Sequence, residues 1–583
     1  MNTVTLTIDG VKVTVPANYT ILEAAREANV NIPTLCYLKD VNQIGACRIC
    51  LVEVKGARGL QAACVSPVGD GMEVKTNTEK LRKYRRFNLE LILSNHNREC
   101  TTCIRSNSCE LQTLCSQLGV NDYPYDGEKS VTKVDDVGPS IVRDNSKCIV
   151  CRRCVSTCNN IQDIGAIGVS QRGFKTTIGC IYGKSLAESP CVNCGQCITA
   201  CPVGALHEKE NIDDVWAALN DPNKHVVVQT APAVRATLGE EFGLPIGTSV
   251  TGKMVAALRR LGFAKVFDTD FGADLTIVEE GTELIHRLKE GGVLPMITSC
   301  SPGWVKYCET FYPEFIPNLS SCKSPHEMTG AIIKSYYAEK AGIDPKDIYV
   351  VSIMPCTAKK FEAQRPELSN NGLQDVDAVL TVRELAKMIK AAGIDFARLP
   401  DEDYDKLLGE STGAGVIFGA TGGVMEAALR TVYELVTGKT LENVDLTAVR
   451  GTDGIKEAEI DLNGKTVRVA VAHGTGNASK LLDMVKNGEK QYDFIEIMGC
   501  PGGCVTGGGT PIRSATEVSY IDLKRARAKA LYNEDRSKAK RKSHENAELK
   551  QLYKDFLGEF GGHKAHELLH THYQKRDKYT FED

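Results

Sequence analysis

The stretch Met498-Gly-Cys500-Pro-Gly-Gly-Cys504-Val-Thr-Gly-Gly-Gly-Thr-Pro511 sets two cysteines four residues apart among glycines. Because glycine carries no side chain, its backbone can approach a bulky group closely, so thiolates in such a loop suit a large inorganic cofactor. Two other cysteine loops match it, Thr298-Ser-Cys300-Ser-Pro-Gly-Trp304 and Met354-Pro-Cys356-Thr-Ala-Lys359-Lys-Phe-Glu362. The sequence therefore predicts a cofactor site to which these three loops contribute.

The composition excludes several classes of protein. A chain of 583 residues is long enough for several domains with a sizeable core. Its formal net charge of −4 gives no global field that would favour nucleic acid or an anionic membrane. The N-terminus has no basic region followed by a long apolar run, and no apolar run approaches ~18 residues, so we expect neither a signal peptide nor a transmembrane helix. A protein of the reducing cytoplasm is the resulting hypothesis.

The 23 cysteines fall in tight groups, which in a chain of this size favours metal ligation over disulfides. In a first domain, placed at 1–80, residues 3–8 and 11–15 alternate as strands around an Asp9-Gly10 turn, and a short helix is predicted at 21–28. This hairpin and helix resemble the β-grasp fold of plant-type ferredoxins. The next four cysteines suit a 2Fe–2S cluster, with a structural zinc site as the alternative from spacing alone: Cys36, Cys47, Cys50 and Cys64.

A second cysteine group follows a helix predicted at 80–94, in a domain placed at 81–126. His96 precedes Cys100, Cys103 and Cys109 with the spacing H-x3-C-x2-C-x5-C. If the helix continues, His96 and Cys100 share a face. The run is similar to a 4Fe–4S site with one histidine and three cysteine ligands, as in the large peripheral iron–sulfur subunit of respiratory complex I. Cys115 is left over and is interpreted as a buried thiol.

A third group lies beyond a linker predicted at 120–140, in a domain placed at 138–210. The spacing C-x2-C-x2-C-x3-C occurs twice, and the second run is followed by Pro202. This repeat is the two-cluster bacterial ferredoxin pattern, in which the fourth cysteine of each run ligates the other cluster. Cys180 has no partner in the pattern. One 4Fe–4S cluster is therefore assigned Cys148, Cys151, Cys154 and Cys201, and the other Cys191, Cys194, Cys197 and Cys158.

From 211 to 583 the pattern is that of a large α/β catalytic domain with a helical C-terminal tail. An apolar strand is predicted at 226–230, and helical and strand patterns then alternate to about 520. The loop 413–419 is only weakly similar to a dinucleotide-binding loop, because its third glycine is one residue late and no clear strand precedes it. The nine basic residues of 524–542 are interpreted as a solvated helix face, and the histidines of the tail as surface residues: His563, His566, His570 and His572.

The three late cysteine loops together, with 411–423, resemble the iron-only (FeFe) hydrogenases, and the likeness covers nearly the whole chain. It is strongest to catalytic subunits of NADP-reducing hydrogenase complexes and to monomeric clostridial enzymes. The resemblance implies a multidomain α/β and α+β protein that catalyses the reversible reduction of protons to dihydrogen. Its implied cofactors are one 2Fe–2S cluster, three accessory 4Fe–4S clusters and an H-cluster, in which a 4Fe–4S cluster is linked to a diiron unit carrying CO, CN and a dithiolate bridge.

The same resemblance implies roles for individual residues of the catalytic domain. Cys356, Cys500 and Cys504 match cluster ligands, and Cys504 matches the bridge to the diiron unit. Lys359 matches a charged hydrogen-bond donor to a cyanide. The residues implied in packing against the diiron unit are Met354, Met498, Pro232 and Ala233. The proton relay would comprise Glu280, Glu283, Arg287 and Ser320, the two glutamates being i, i+3 on one helix face.

One position departs from the family pattern, which usually reads Thr-Ser-Cys-Cys-Pro-x-Trp. Its first cysteine relays protons and its second ligates the cluster, whereas this chain has Cys300-Ser301. Either Cys300 keeps the relay role and Ser301 occupies the ligand position, or Cys300 shifts to ligate the cluster and Ser301 or water relays protons. Cys300 is assigned as the fourth ligand. Cys322 is a spare thiol, interpreted as part of the core.

The resemblance also implies partners, namely protons, dihydrogen, and either ferredoxin or a diaphorase-type subunit as electron donor. A catalytic subunit of an NAD(P)-linked complex is an alternative, and any nucleotide chemistry would then need another polypeptide. A low-turnover sensory protein is a further alternative, for which Ser301 is the argument. Neither nucleic acid nor a membrane is expected as a partner.

Overall fold

A computed structural model describes residues 2–125, 127–130, 132–462 and 464–580. Its N-terminal part is a five-stranded sheet with one packed helix, Ile21–Glu27. The hairpin predicted around Asp9-Gly10 is present, and its first strand also pairs parallel to the strand Glu73–Lys75. Thr20 and Glu23 form a capping box that fixes the start of the helix. The strands, in sequence order, are Thr3–Ile8, Val11–Pro16, Leu51–Val54, Gln61–Ala62 and Glu73–Lys75.

The second part is helical, and the helix predicted at 80–94 is confirmed, although it does not continue to Cys100. The helix Glu79–Asn95 ends at His96, whose extended backbone (φ −82°, ψ 139°) stops the helical path. His96 and Cys100 therefore do not share a helix face. Cys100 begins a separate 3₁₀ turn, and a second helix, Glu110–Leu118, follows. Among the described residues of 120–140, regular structure is limited to the short strand Val134–Asp135, as expected of a linker.

The third part contains two short helices, Arg153–Ser156 and Gln196–Ala200, which contact each other. Each begins inside one of the two repeated cysteine runs. The backbones of the runs match, because Val150 and Asn193 occupy equivalent positions and both have positive φ (53° and 59°). The surrounding strands are Val134–Asp135, Ile141–Asp144 and Leu206–Glu208 in one sheet, and Gly168–Ser170 and Thr177–Gly179 in a hairpin.

The C-terminal part is built around two four-stranded sheets. The first is fully parallel, in the spatial order Lys265–Asp268, His225–Thr230, Ile348–Met354, Ala378–Thr381. The second has the order Met296–Ile297, Phe494–Met498, Lys465–His473, Ile455–Leu462, and only its last pair is antiparallel. A two-stranded hairpin is formed by Ser369–Asn370 and Leu373–Gln374. The apolar strand predicted at 226–230 is thus confirmed as an inner strand.

Helices cover these sheets, and their apolar faces form a continuous core with the strands. The long helix Thr269–Glu290 is buried over most of its length. The other helices are Ile212–Asn220, Pro232–Thr237, Thr251–Leu261, Pro302–Phe311, Pro325–Ile332, Ala338–Ala341, Ala358–Glu362, Val382–Ala391, Gly413–Ile417, Gly423–Thr437, Thr475–Lys486, Glu517–Tyr520, Leu523–Ser537, Ala547–Leu552 and His563–Leu569.

The cysteine loops of this part all follow carboxyl ends of strands. Cys300 follows Met296–Ile297, Cys356 follows Ile348–Met354, and Cys500 follows Phe494–Met498. In parallel sheets, ligands bind in the crevice beyond these strand ends. Because two sheets contribute, the crevice is enclosed from both sides. This topology brings together loops that are about 200 residues apart in sequence, as the hydrogen bond from Gly499 N to Ser301 Oγ over 198 positions shows.

The C-terminal tail packs on the catalytic domain, and two expectations about it are wrong. Arg527 belongs to the supposedly solvated basic segment but is only 1% exposed, and its guanidinium binds Glu240 at 2.8 Å. Burial without a partner would be costly for a guanidinium, so the ion pair anchors the helix. His570 is not a surface residue either, because its side chain is nearly enclosed between Ser321 and Glu279. Within the described ranges, no helix combines the length and apolarity that crossing a membrane requires.

Candidate metal centres and catalytic site

The four N-terminal thiols lie close enough to interact with one another. Cys36 N donates to Cys47 Sγ at 3.4 Å. Hydrogen bonds from the thiols of Cys47 and Cys64 lower the pKa of Cys36 to about 2. The Cys50 thiol is likewise hydrogen-bonded to Cys64, which lowers its pKa. The same hydrogen bonds raise the pKa values of Cys47 and Cys64, so the four thiols share their protons. Thiolates are the form that binds metal, and four converging thiols suit a cationic cluster.

The second group lines a cavity of about 230 Å³ that includes His96, Cys100, Cys103, Cys109 and the leftover Cys115. His96 is buried, and its Nδ1 atom has no hydrogen-bond partner. Burial lowers its pKa to about 4, so the imidazole is neutral at pH 7. A neutral imidazole with an unpaired nitrogen, on a cavity that three thiols also line, suits a metal ligand. Cys115, expected to be buried in the core, is half-buried and borders the same cavity.

The eight thiols of the repeat separate into two groups. Cys201 raises the pKa of Cys148, Cys151 and Cys154 by like-charge repulsion that adds to the larger effect of burial. Cys158 does the same to Cys194 and Cys197, from the other run. The fourth cysteine of each run therefore lies beside the first three of the other, in the crossed arrangement that the spacing predicts. Cys180 is buried outside the two groups and its thiol contacts Ser189.

The three late cysteine loops enclose one buried cavity of about 70 Å³. Gly502 and Gly503 have positive φ (92° and 96°), a conformation that favours glycine. A Cβ on Gly503 would meet the backbone nitrogen of Thr421 at 2.7 Å, so no side chain fits there. Ala233 is buried next to this cavity rather than on its wall. The predicted site residues that line it are Pro232, Cys300, Ser301, Met354, Cys356, Lys359, Met498, Cys500 and Cys504.

This cavity directly adjoins the second ferredoxin-type run. A Cβ on Gly508 would lie 2.4 Å from Cys194 O and 2.6 Å from the Cα atom of Gly195, so the two backbones are in contact. Gln196 Nε2 donates to Thr506 O at 2.9 Å, and Thr357 Oγ1 donates to Asn193 O at 2.7 Å. The cysteines of the two sites are therefore separated by only a few residues of packed loop.

Cys300 and Ser301 both line the cavity but contact different neighbours. Cys300 packs with Phe418, Met498 and Cys504. The Ser301 hydroxyl accepts a hydrogen bond from Gly499 N at 3.0 Å, on the loop that carries Cys500. Burial raises the pKa of the Cys300 thiol well above its usual range, and the negative charge of the Glu280 carboxylate raises it further.

Lys359 is buried at the edge of the cavity. Its Nζ donates to Glu362 Oε2 at 2.6 Å, to Ser324 Oγ at 2.8 Å and to Cys300 O at 3.3 Å. Although burial favours the neutral amine, the Glu362 carboxylate raises the pKa of Lys359, so the ammonium is retained. His326 Nδ1 lies 3.0 Å from Oε2 of the same Glu362 carboxylate. No role was predicted for Glu362, although it ends the Cys356 loop, or for His326, which lies in no recognisable motif.

The predicted relay residues are also close together. Glu283 Oε2 accepts from Ser320 Oγ at 2.9 Å, and Glu283 Oε1 accepts from Arg287 at 2.5 Å. Glu280 lies one turn earlier on the same helix, is 1% exposed, and neither of its carboxylate oxygens has a hydrogen-bond partner. Burial raises the pKa of Glu280 to about 8. A buried carboxyl with a pKa near neutrality is suited to taking up and releasing protons.

Comparison with known proteins agrees with this geometry. Family models match along the chain: 2Fe-2S iron-sulfur cluster binding domain (1–79); NADH-ubiquinone oxidoreductase-G iron-sulfur binding region (85–124); NADH-quinone oxidoreductase subunit 3, ferredoxin-like domain (138–207); iron only hydrogenase large subunit, C-terminal domain (224–508); and iron hydrogenase small subunit (521–576).

Three relatives illustrate the similarity. The chain is 50% identical to the NADP-reducing hydrogenase subunit HndD of Solidesulfovibrio fructosivorans, over 99% of this chain and 100% of that one. It is 45% identical to iron hydrogenase 1 of Clostridium pasteurianum, over 98% and 100% of the two chains. The structure of apo [FeFe]-hydrogenase HydA1 from Chlamydomonas reinhardtii matches with a TM-score of 0.57 and 48% identity, over 63% of this chain and 99% of that one.

A cysteine-lined crevice beyond two sheets, preceded by domains for iron–sulfur clusters, is the arrangement of an iron–sulfur oxidoreductase. The chain belongs to the iron-only hydrogenase family. It is an oxidoreductase acting on hydrogen, with accessory iron–sulfur domains ahead of its catalytic domain.

Proposed function

We propose that the protein catalyses the reversible reduction of protons to dihydrogen, with electrons passing through four accessory clusters. The observation that carries this proposal is the buried cavity shared by Cys356, Cys500 and Cys504, in backbone contact with the second ferredoxin-type run. Thiols enclosed away from water suit a metal cluster, and direct contact between two cluster sites suits electron transfer between them.

The electron path follows the order of the cysteine groups. A 2Fe–2S cluster would be held by Cys36, Cys47, Cys50 and Cys64 in a β-grasp domain. A 4Fe–4S cluster would use His96, whose unpaired Nδ1 supports the assignment, with Cys100, Cys103 and Cys109. Two further 4Fe–4S clusters would use the crossed sets, Cys148, Cys151, Cys154, Cys201 and Cys191, Cys194, Cys197, Cys158, and the second set adjoins the catalytic cavity.

The residues of the catalytic cavity fit an H-cluster. Its donors include the buried thiol of Cys500 and the half-buried thiols of Cys356 and Cys504. Its walls include glycines that leave no room for a Cβ, and Lys359 supplies a buried cation. Cys356, Cys500 and Cys504 would hold the 4Fe–4S part, and Cys504 would also hold the diiron unit. When bound, the H-cluster supplies the redox chemistry by which dihydrogen is formed or split. Met354, Met498, Pro232 and Ala233 would shape the pocket around it.

The fourth ligand position is better matched by Ser301 than by Cys300. Ser301 faces the loop of Cys500, whereas Cys300 packs with Cys504 and Met498 and is influenced by Glu280. Cys300 would then hold the proton nearest the active site. A serine hydroxyl resists deprotonation far more than a thiol, so it ligates iron poorly. The same residue is the argument for a second candidate, a sensory hydrogenase of low turnover.

Protons would move between Cys300 and solvent along one side of the helix Thr269–Glu290. Glu280 would accept and release the proton, Ser320 would pass it on to Glu283, and Arg287 would orient the Glu283 carboxylate. The hydrogen bonds of Glu283 to Ser320 and Arg287 support the outer half of this path. The unpaired carboxylate of Glu280 supports the inner half, because it is free to bond to a neighbour on either side.

The electron partner would be ferredoxin or a diaphorase-type subunit. The relative HndD is named as a subunit of an NADP-reducing hydrogenase, which supports a complex with a second polypeptide. The helix Glu79–Asn95 exposes Tyr84 and Phe87 together with Leu91 on one face. This face lies between the first two cysteine groups in sequence and would suit docking of such a partner.

An infrared spectrum of anaerobically matured protein tests the proposal. Bands where iron-bound CO and CN absorb, responding to dihydrogen, are the expected result. Their absence in protein whose accessory clusters are intact would contradict the proposal. If a Ser301→Cys variant then shows the bands, the second candidate is supported, because the serine alone would have disabled the site.

A further inference from the structure

A second cluster of metal-ligand type lies at the outer end of the relay. It consists of Glu283, Cys322 and His570, whose donor atoms all lie within 4.8 Å of one another. Cys322 Sγ is 3.9 Å from Glu283 Oε2. Donor atoms around a tetrahedral zinc ion are roughly 3.3–3.8 Å apart, given its bond lengths to sulfur, nitrogen and oxygen. Small side-chain adjustments would therefore bring the three donors into zinc geometry.

The backbone fixes two of these residues against each other. Cys322 and His570 face each other in an isolated antiparallel bridge. Lys323 N donates to Leu569 O at 2.8 Å, and Thr571 N donates to Ser321 O at 2.7 Å. Main-chain bonds thus fix the positions of the thiol and the imidazole, in addition to the side-chain contacts that each of them makes.

The histidine is already oriented as zinc-binding histidines are. His570 Nε2 lies 3.1 Å from Glu279 Oε2, and Glu279 is itself fixed by Tyr553 and by Gly561 N. Metal-ligating histidines typically use one ring nitrogen for the metal and donate the other N–H to a carboxylate. Nδ1 lies 2.8 Å from the hydroxyl of Ser321, next to Cys322 in the same loop, and zinc would take the place of this hydroxyl.

The thiol distinguishes this cluster from others in the described residues. Arg287 pairs with Oε1 of Glu283, whereas Oε2, which accepts from Ser320 Oγ, is the oxygen nearest the Cys322 thiol. Two other groups of similar composition exist among the described residues, His326–Glu327–Glu362 and Glu434–His544–Glu545. Each also has a cation on one of its carboxylates, Lys359 and Lys542 respectively, but neither offers a thiol. The relay-end cluster is the one whose donor set is typical of zinc.

We propose that Zn²⁺ binds to Cys322, His570 and Glu283, with water in the fourth position, and thereby inhibits the enzyme by occupying its outer proton relay. The thiol proton is released to solvent when zinc binds. Glu283 Oε2, once bound to the metal, no longer accepts from Ser320. Inhibition by zinc rests on the proposed function, whereas binding of zinc does not.

The test uses the full chain with its iron–sulfur clusters loaded, so that cluster cysteines cannot capture zinc. ZnCl₂ is titrated into chelator-treated enzyme, with MgCl₂ as the comparison ion. Bound zinc is measured by elemental analysis after desalting, and its ligands by X-ray absorption at the zinc edge. Dihydrogen evolution from reduced methyl viologen is measured in parallel. Cys322→Ser and His570→Gln remove donors, while His563→Ala removes an exposed histidine of the same helix and Cys308→Ser a buried thiol elsewhere.

The expected result is one zinc per chain with a sulfur ligand, and inhibition by zinc but not magnesium. Cys322→Ser should raise the inhibitory zinc concentration by about 10-fold to about 100-fold, the range seen when even an outer partner of a metal ligand is lost. The two control variants should behave as the unmodified enzyme. Equal zinc binding in Cys322→Ser and unmodified enzyme would overturn the site.

Two further outcomes distinguish zinc binding from zinc inhibition. Zinc bound through sulfur without any inhibition would overturn the blockade and the relay role of Glu283, while leaving the binding site supported. If zinc-free enzyme evolves no dihydrogen, the proposed function fails, and the stoichiometry and X-ray absorption still decide whether zinc binds to Cys322.

Discussion

The Ser301 hydroxyl accepts a hydrogen bond from the backbone N–H of Gly499 at 3.0 Å, which ties the first cysteine loop to the loop of Cys500. A thiol in this position would face the same cavity with a far lower pKa than an alcohol. The hydroxyl at this position therefore offers the cavity a weaker metal donor than a thiol would.

Ser301→Cys should stabilise the catalytic cluster. We expect the variant to retain more iron per chain after matured protein is exposed to a chelator, because a thiolate ligates iron better than a hydroxyl does. Iron analysis and electron paramagnetic resonance of the cluster check this. Ser301→Ala is the control: if alanine and serine retain iron equally, the serine hydroxyl is not a ligand.

Glu280→Gln should slow turnover without removing the cofactor. Loss of a positioned proton-transfer group lowers rates by about 10²-fold to about 10⁴-fold, so dihydrogen evolution should fall within this range. Infrared bands of the cofactor should be unchanged. Glu290→Gln, on the exposed end of the same helix, serves as the control. A normal rate in Glu280→Gln would remove Glu280 from the path.

The pH dependence of dihydrogen evolution should reflect the same carboxyl. Burial raises the pKa of Glu280 to about 8, so the group is protonated below that pH and ionised above it. Because evolution consumes protons delivered by the neutral acid, the rate should fall as the pH rises through about 8. The Glu280→Gln variant should lose this inflection from its residual rate profile, and an unchanged profile would contradict the assignment.

Glu362→Gln should destabilise the catalytic domain. The change leaves the buried Lys359 ammonium without its 2.6 Å partner, and breaking a buried ion pair in this way costs about 3–5 kcal/mol. The free energy of unfolding, measured by denaturant titration under anaerobic conditions, should fall accordingly. Glu442→Gln, at an exposed position, should change it little. A stability equal to that of the unmodified protein would show that Lys359 is not held as an ammonium by Glu362.

Gly508→Ala should disturb electron delivery. The added Cβ would lie 2.4 Å from Cys194 O, which is backbone and cannot rotate away, so the two loops must separate. We expect slower turnover with electrons supplied through the accessory clusters, and a changed resonance spectrum for the cluster assigned to the Cys191–Cys201 run. Gly59→Ala, where a Cβ meets nothing within 4 Å, is the control. Unchanged spectra and rates would show that this contact does not matter for transfer.

Cysteine spacing predicted the iron–sulfur domains that the family models match, because the cysteines of such domains are grouped locally in sequence. The run from Cys148 to Cys158 and its repeat even predicted which thiols come together across the domain. The catalytic loops were found only through their resemblance to a family, because Cys300, Cys356 and Cys500 are brought together by strand order in two sheets. No periodicity in the sequence specifies that order.

The remaining misses have physical reasons. The helix predicted at 80–94 is present, but the condition that it continue to Cys100 is not met, because His96 adopts an extended backbone. Arg527 and His570 looked like surface residues because their partners, Glu240 and Glu279, are more than 280 residues away in sequence. A charged residue paired at such a distance has no local signal, so its burial could not be predicted from its neighbours in the chain.

The contact of the segment 569–571 with 321–323 sets an order of events during synthesis. Because His570 leaves the ribosome 249 positions after Ser321, the helix Thr269–Glu290 spends a long part of translation with that flank uncovered. Nascent protein therefore passes through a stage in which all the cysteine loops are synthesised but Glu279 and Glu283 on this flank are still uncovered. Docking of the tail through His570 then buries these two carboxylates last.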